Sequence, residues 1–239
     1  IKFTPKSNNT LITASYDENT SESRSATITV SVSGLPATQV VLTQSGNQDR
    51  LLNVEALLEG LYIGGGMMKQ ACDENGPRYS AGIADHIILE LHDTANYSNI
   101  VFIASEVSLS TSGIVSVAIP SELNGDYYIS IRHRNSIETV SAYPVSFANQ
   151  VVDYGFNDLS TAFGNNLCLM PDGYFVIYGS DVDQNGTVDT GDITPVENLS
   201  NQYYSGYSPE DINGDGFVDT ADHTFLDNNQ AGFITTIHP

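Results

Sequence analysis

The sequence predicts a mainly β chain that ends in a small helical module, and three observations carry that prediction. Apolar and polar residues alternate over Arg24 to Gln44. Short strand-like runs recur between turn residues from about residue 51 to residue 156. An acidic twelve-residue segment occurs twice near the C-terminal end.

The alternation puts Ala26, Ile28, Val30 and Val32 on one face and Thr27, Thr29 and Ser31 on the other, because successive side chains of a strand point to opposite faces. Gly34-Leu35-Pro36 supplies a turn and Thr38 to Gln44 a returning strand, so the segment is expected to be a β-hairpin. The stretch SYDENTSESRSATITVSVSGLPATQVVLTQSG resembles the C-terminal half of a BACON domain. That resemblance covers residues 1–46. It implies a partial immunoglobulin-like module, an extracellular or cell-surface protein of a gut bacterium, and a carbohydrate or mucin ligand.

A polar linker, Ser45 to Arg50, leads into the second β-rich region. Strand candidates are Ile87 to His92, Ile100 to Ala104, Val115 to Ile119, Tyr127 to Arg134 and Val145 to Phe147. Asp93, Asn124-Gly125 and Asn135-Ser136 punctuate them as turns. Several short strands in that rhythm predict an antiparallel, immunoglobulin-like β-sandwich over residues 51–156.

Charge then narrows the function classes. The chain of 239 residues carries 8 Lys and Arg against 29 Asp and Glu, a formal net charge of -21. Nucleic-acid binding depends on clustered basic residues that neutralise phosphates, so no nucleic-acid partner is expected. No apolar run approaches the roughly 18 residues that would span a bilayer, so no membrane insertion is expected. The chain starts at Ile1 without a leader pattern and is expected to be a processed piece of a longer protein. Past Arg134 there is no Lys or Arg, yet that stretch holds fifteen acids at regular spacing with Gly, Val and Ile. Divalent cations are the expected counter-charge.

The repeat gives this expectation its chemistry. Residues 181–192 read DVDQNGTVDTGD and residues 211–222 read DINGDGFVDTAD, offset by thirty residues. An EF-hand-type calcium loop takes oxygen ligands from positions 1, 3, 5, 7, 9 and 12, with Gly at position 6 for a sharp turn. The first copy offers Asp181, Asp183, Asn185, the Thr187 carbonyl, Asp189 and Asp192 around Gly186. The second offers Asp211, Asn213, Asp215, the Phe217 carbonyl, Asp219 and Asp222 around Gly216. Oxygen donors without Cys or His select calcium over zinc, so two calcium ions are the expected cofactors. Val188 and Val218 occupy position 8, through which two such loops are expected to pair. Each copy is followed by a helix candidate, Ile193 to Leu199 (which contains Pro195) and His223 to Asn228.

With Asp at position 12, one flanking helix per loop and a thirty-residue spacing, the region from Gly179 onward resembles type I dockerin modules. The resemblance implies a small α, dockerin-like domain over residues 157–239 that folds around two calcium ions and plugs into a partner protein. Thr190-Gly191 and Thr220-Ala221 stand where the family carries Ser-Thr-like pairs, and no Lys or Arg follows them.

Other candidates are less specific. Arg132 and Arg134, with Tyr128 and Ser130, share one strand face and would hold a carboxylate or acidic sugar; the plainer reading pairs them with acids of the chain. Tyr203, Tyr204 and Tyr207 would stack on a sugar or partner, or pack their own loop. Histidines 86, 92, 133, 223 and 238 form no zinc-protease motif and no nucleophile elbow is present. Acid pairs such as Glu55/Glu59 and Asp73/Glu74 do not stand out as glycosidase carboxylates. Cys72 and Cys168 leave open either one disulfide or two thiols. The expected function is therefore that of a non-catalytic, calcium-binding accessory region of a secreted or cell-surface protein, mediating protein assembly or glycan attachment. The alternatives are a structural adhesin or stalk segment rigidified by calcium, and part of a polysaccharide-degrading enzyme.

Overall fold

A computed structural model describes residues 2–5, 12–15, 19, 23–30, 34, 36–44, 46 and 48–239. The chain is mainly β and falls into two compact units, Ile1–Asp49 with Pro120–Glu122 and Arg50–Ile119 with Leu123–Pro239.

In the first unit β1 (Lys2–Pro5) pairs antiparallel with β2 (Ile12–Ser15), and β3 (Arg24–Val30) pairs antiparallel with β4 (Thr38–Gln44). The β3–β4 register runs from Arg24 opposite Gln44 to Val30 opposite Thr38, which is the hairpin that the period-two alternation predicts. Ala26 and Ile28 are half-buried while Thr27 and Thr29 are exposed, as is Val30 on the expected apolar face. Ser31, Val32, Leu35 and Ser45, part of the expected hairpin and linker, lie outside the described residues.

The second unit begins with β5 (Arg50–Glu55) and two short ladders, β6 (Tyr62–Gly64) with β7 (Met67–Met68) and β8 (Cys72–Asp73) with β9 (Gly76–Pro77). The long strands β10 (Ile83–Asp93) and β11 (Ile100–Ser110) follow, then β12 (Ile114–Ile119), β13 (Asp126–His133), β14 (Ser136–Val140), β15 (Val145–Ser146) and β16 (Val151–Gly155). A last ladder pairs β17 (Cys168–Leu169) with β18 (Phe175–Val176), and helices α1 (Thr190–Asn201) and α2 (Thr220–Ala231) close the chain.

The strands form two sheets. One has the order β11-β10-β13-β14 with β15 also on β13, and is antiparallel. The other has the order β12-β5-β16, with β12 antiparallel and β16 parallel to β5. The parallel pair brings together strands far apart in sequence, so no hairpin rhythm announces it. Alternate residues of the two sheets meet in one core: Leu52, Val54, Val115, Val117, Ile119 and Val152 from the smaller, Ile87, Leu89, Leu91, Ile129 and Ile131 from the larger.

The boundary expected between residues 156 and 157 falls inside this unit. Ala162, Leu167, Val176 and Ile177 are buried in the same core as the strands, and Leu58 bridges in parallel to Ile177. The segment falls in the dockerin-like domain expected over residues 157–239, yet its apolar residues complete the strand core. Cys72 and Cys168 are free thiols. Among the described residues no helix is long and apolar enough to cross a membrane.

Candidate metal centre

The acidic repeat folds twice in the same way. Asp189 N-caps α1 and accepts from Gly191 N at 2.6 Å, while Asp192 in the third helical position reaches back to Asp189 N at 2.9 Å. Asp219 and Asp222 do the same for α2, at 2.7 and 2.9 Å. This reciprocal capping satisfies the first backbone donors of each helix and starts both helices three residues before the sequence expectation. The α1 helix runs through Pro195. Gly186 and Gly216 hold φ of 86° and 88°, the left-handed turn expected of position 6.

Side-chain bonds repeat at the same offset. Asp192 Oδ1 accepts from Asp183 N at 3.1 Å and Asp222 Oδ1 from Asn213 N at 2.9 Å. Asp181 Oδ2 accepts from Gly186 N at 3.1 Å and Asp211 Oδ2 from Gly216 N at 3.0 Å. Asn185 accepts from Thr187 N at 2.9 Å, as Asp215 does from Phe217 N at 3.0 Å. The conserved offset extends past the helices: Tyr203 and Phe233 have φ of 54° and 55°. Val182 with Ile212, Val188 with Val218, and Val196 with Leu226 fill one small core between the copies, joined by Ile137.

The expected pairing of Val188 with Val218 is corrected. Val188 N donates to Ile234 O at 2.9 Å, and Val218 N donates to Tyr204 O at 3.1 Å. Each loop thus pairs with the chain that leaves the other loop's helix, with bridges Thr187 to Thr235 and Ser205 to Phe217. Both valines are buried in the small core instead.

In the first loop carboxylate oxygens of Asp181, Asp183 and Asp192 lie within 4.8 Å of one another, and this acidic group could hold a metal ion. Asp181 is only 2% exposed, and its Oδ1 is buried without a hydrogen-bond partner. Burial, then repulsion from Asp192, pushes the Asp181 carboxyl up to about 6. Asp189 stands at the helix cap, Asn185 donates to Asp183 Oδ2 at 2.9 Å, and Thr187 Oγ1 meets Thr235 Oγ1 at 3.1 Å.

The second loop is built alike but differs in charge. Asn213 stands where the first loop has Asp183, and among the described residues no three acids of this loop converge as closely. Asn213 Oδ1 faces Lys69 Nζ at 3.4 Å, and Arg134 Nη1 donates to the Asp211 carbonyl at 2.6 Å. Burial still pushes the Asp211 carboxyl up to about 6, against the pull of Arg134. Burial likewise raises Asp192 and Asp222.

The other sequence candidates divide. Arg134 is committed to the fold: it donates to Asp85 Oδ2 at 3.2 Å and to the Ser208 carbonyl, and its guanidinium lies 4.6 Å from the Tyr207 ring centre. Tyr207 donates to Asp85 Oδ1 at 2.6 Å and Tyr204 packs in the small core, whereas Tyr203 is 92% exposed. Arg132 lines a cavity of about 470 Å³ with Arg78, Tyr79, His86 and Tyr207.

Sequence reasoning missed one group. Glu90 and His92 on β10 and Glu138 on β14 bring ligand atoms within 4.8 Å of one another. The two-residue spacing of Glu90 and His92 was visible, but Glu138 joins them only through the β10-β13-β14 order.

No protein-family model matches the chain, and no curated protein matches its sequence.

Proposed function

We propose that the chain is a non-catalytic, calcium-binding accessory region of a secreted or cell-surface protein, serving protein assembly or glycan attachment. The observation that carries the reading is the buried, unpartnered Oδ1 of Asp181 at the meeting point of three carboxylates, in a loop whose hydrogen bonds recur thirty residues later. Asp181, Asp183, Asn185, the Thr187 carbonyl, Asp189 and Asp192 would hold one ion. Asp211, Asn213, Asp215, the Phe217 carbonyl, Asp219 and Asp222 would hold the other. An all-oxygen donor set favours a hard cation of calcium's size. The paired loop-helix units support a dockerin-like module, and two sheets around one core support an immunoglobulin-like one.

Calorimetric titration of the chelated chain tests the reading. Two calcium ions should bind with dissociation constants at or below about 10⁻⁴ M, magnesium should bind poorly, and Asp181→Ala with Asp211→Ala should abolish uptake. Absence of calcium uptake by the wild-type chain overturns it.

Two observations bear on attachment. Tyr203 and Phe233 are 92% and 87% exposed at equivalent places after the two helices, which favours a protein partner. The cavity lined by Arg78, Tyr79, Arg132 and Tyr207 favours an acidic sugar, since guanidinium groups pair with carboxylates and aromatic faces stack on rings. Loss of partner capture in Tyr203→Ser with Phe233→Ser supports the first, and loss of uronic-acid binding in Arg132→Ala supports the second. Neither binding would leave a calcium-rigidified stalk segment, and polysaccharide turnover abolished by a single carboxylate substitution would overturn the non-catalytic reading.

A further inference from the structure

We propose that Glu90, His92 and Glu138 form a binding site for one zinc-type transition-metal ion, separate from the acidic loops and independent of the calcium reading. The site lies on the face of the larger sheet that points away from the Leu89, Leu91, Ile129 and Ile131 core. Glu90 and His92 stand two residues apart on β10, and β13 places Ser130 opposite Glu90. Ser130 Oγ donates to Glu138 Oε1 at 2.8 Å, bringing the third group from β14 to the same face.

The hydrogen bonding leaves two facing ligand atoms for a cation. His92 Nδ1 lies 2.6 Å from the Tyr97 carbonyl, and a carbonyl oxygen only accepts, so Nδ1 carries a proton. His92 Nε2 then faces Glu90 Oε2 at 3.3 Å. Both atoms are buried, and neither makes a hydrogen bond. Glu90 and His92 are each 4% exposed, and a buried polar atom left without a partner is destabilising. Among the described residues no Lys or Arg ion-pairs with either glutamate. One divalent ion would take a ligand atom from each of the three side chains and supply the counter-charge for the two glutamates.

The surroundings match those of a metal-held histidine, whose second nitrogen usually donates to a carbonyl or carboxylate. Tyr97 clamps two of the three groups: its carbonyl holds His92, its hydroxyl donates to Glu138 Oε1 at 2.5 Å, and its ring stacks on His92 at 4.1 Å. Glu138 also lines a cavity of about 270 Å³, shared with Arg132 and with Asp181 of the first acidic loop. One imidazole with two carboxylates suits zinc and its neighbours rather than calcium, and three protein ligands leave a fourth position for water.

The test uses the full chain, stripped of metal and then saturated with calcium, titrated with Zn²⁺ and separately with Co²⁺. One zinc per chain should bind, and cobalt should give visible ligand-field absorption. Glu138→Gln should weaken zinc binding by about 100-fold or more and Tyr97→Phe by about 10–100-fold, with calcium uptake unchanged as the check on folding. His238→Ala, which removes the exposed ring stacked on Tyr97 at 5.0 Å, should leave zinc uptake intact. No zinc uptake, displacement of zinc by calcium, indifference to Glu138→Gln, or loss of zinc in His238→Ala would each overturn the proposal.

Discussion

Asp181 shows how one carboxylate ties chemistry to stability. Its folded-state pKa of about 6 lies above the ordinary value of about 3.9. Without metal, the protonated form therefore stabilises the fold: that stability is fully present below about pH 3.9 and is lost as pH rises through about 6. Asp181→Asn should flatten this part of the pH–melting curve in EDTA, while at pH 7 with calcium it should cost about 2.7 kcal/mol when wild type is held at a hundred times the dissociation constant. Opposite effects of one substitution in the two buffers are the outcome to measure by thermal melting. Asp85 behaves in the reverse sense. Burial would raise its carboxyl, but His133 and Arg134 hold it well below the carboxylate range. Its contribution is present above about pH 4 and lost as pH falls. Asp85→Ala leaves Arg134 uncompensated in a buried site and should cost about 3–5 kcal/mol by chemical denaturation.

At the scale of elements, the exchange of pairing partners couples the two acidic loops. The first loop is closed by the segment after α2, through Val188 N to Ile234 O and Thr236 N to Gly186 O at 2.7 Å. Deleting residues 234–239 removes both bonds, each worth about 1 kcal/mol, and should weaken cation binding at the first loop by about tenfold or more, with the second loop nearly unchanged. Two-site calorimetry with Asp181→Ala and Asp211→Ala as single-site references separates the two. Lys69 acts on the second loop alone. Because its ammonium competes for Asn213 Oδ1, Lys69→Met should tighten that site, and an unchanged second constant would show the contact to be inconsequential.

Across the whole second unit, the strands and the acidic repeat fold as one body. Glu59 sits in a short helical turn and accepts from Gly179 N at 2.8 Å and from Asn229 Nδ2 of α2 at 2.7 Å. A Cβ at Gly60 would overlap the Ile212 carbonyl oxygen, so only glycine allows so close an approach. A chain cut after Phe156 loses Ala162, Leu167, Val176 and Ile177 from the strand core and should fail to unfold cooperatively. Calorimetry of the intact chain should show chelation lowering one transition for residues 50–239. Two separate transitions, only one of them sensitive to calcium, would contradict this coupling.

What was legible in the sequence was local. Alternation over Arg24 to Gln44, with the Gly34-Leu35-Pro36 turn, determined a hairpin, because side chains of a strand alternate between its two faces. The spacing of Asp181, Asp183, Gly186 and Asp192, repeated at Asp211 to Asp222, determined two glycine turns of the same kind, with carboxylates converging in the first, because those positions lie close together along the chain. Tertiary structure alone decided what depends on distant strands. The parallel pairing of β5 with β16 and the swapped partners of Val188 and Val218 leave no periodic trace, since backbone pairing is blind to side-chain identity. Arg132 and Arg134 look equivalent in sequence, yet only Arg134 is committed, because Asp85 approaches it from a separate strand. Glu138 reaches Glu90 and His92 for the same reason: sheet order and register, set by burial of the opposite face, carry three polar side chains to one place.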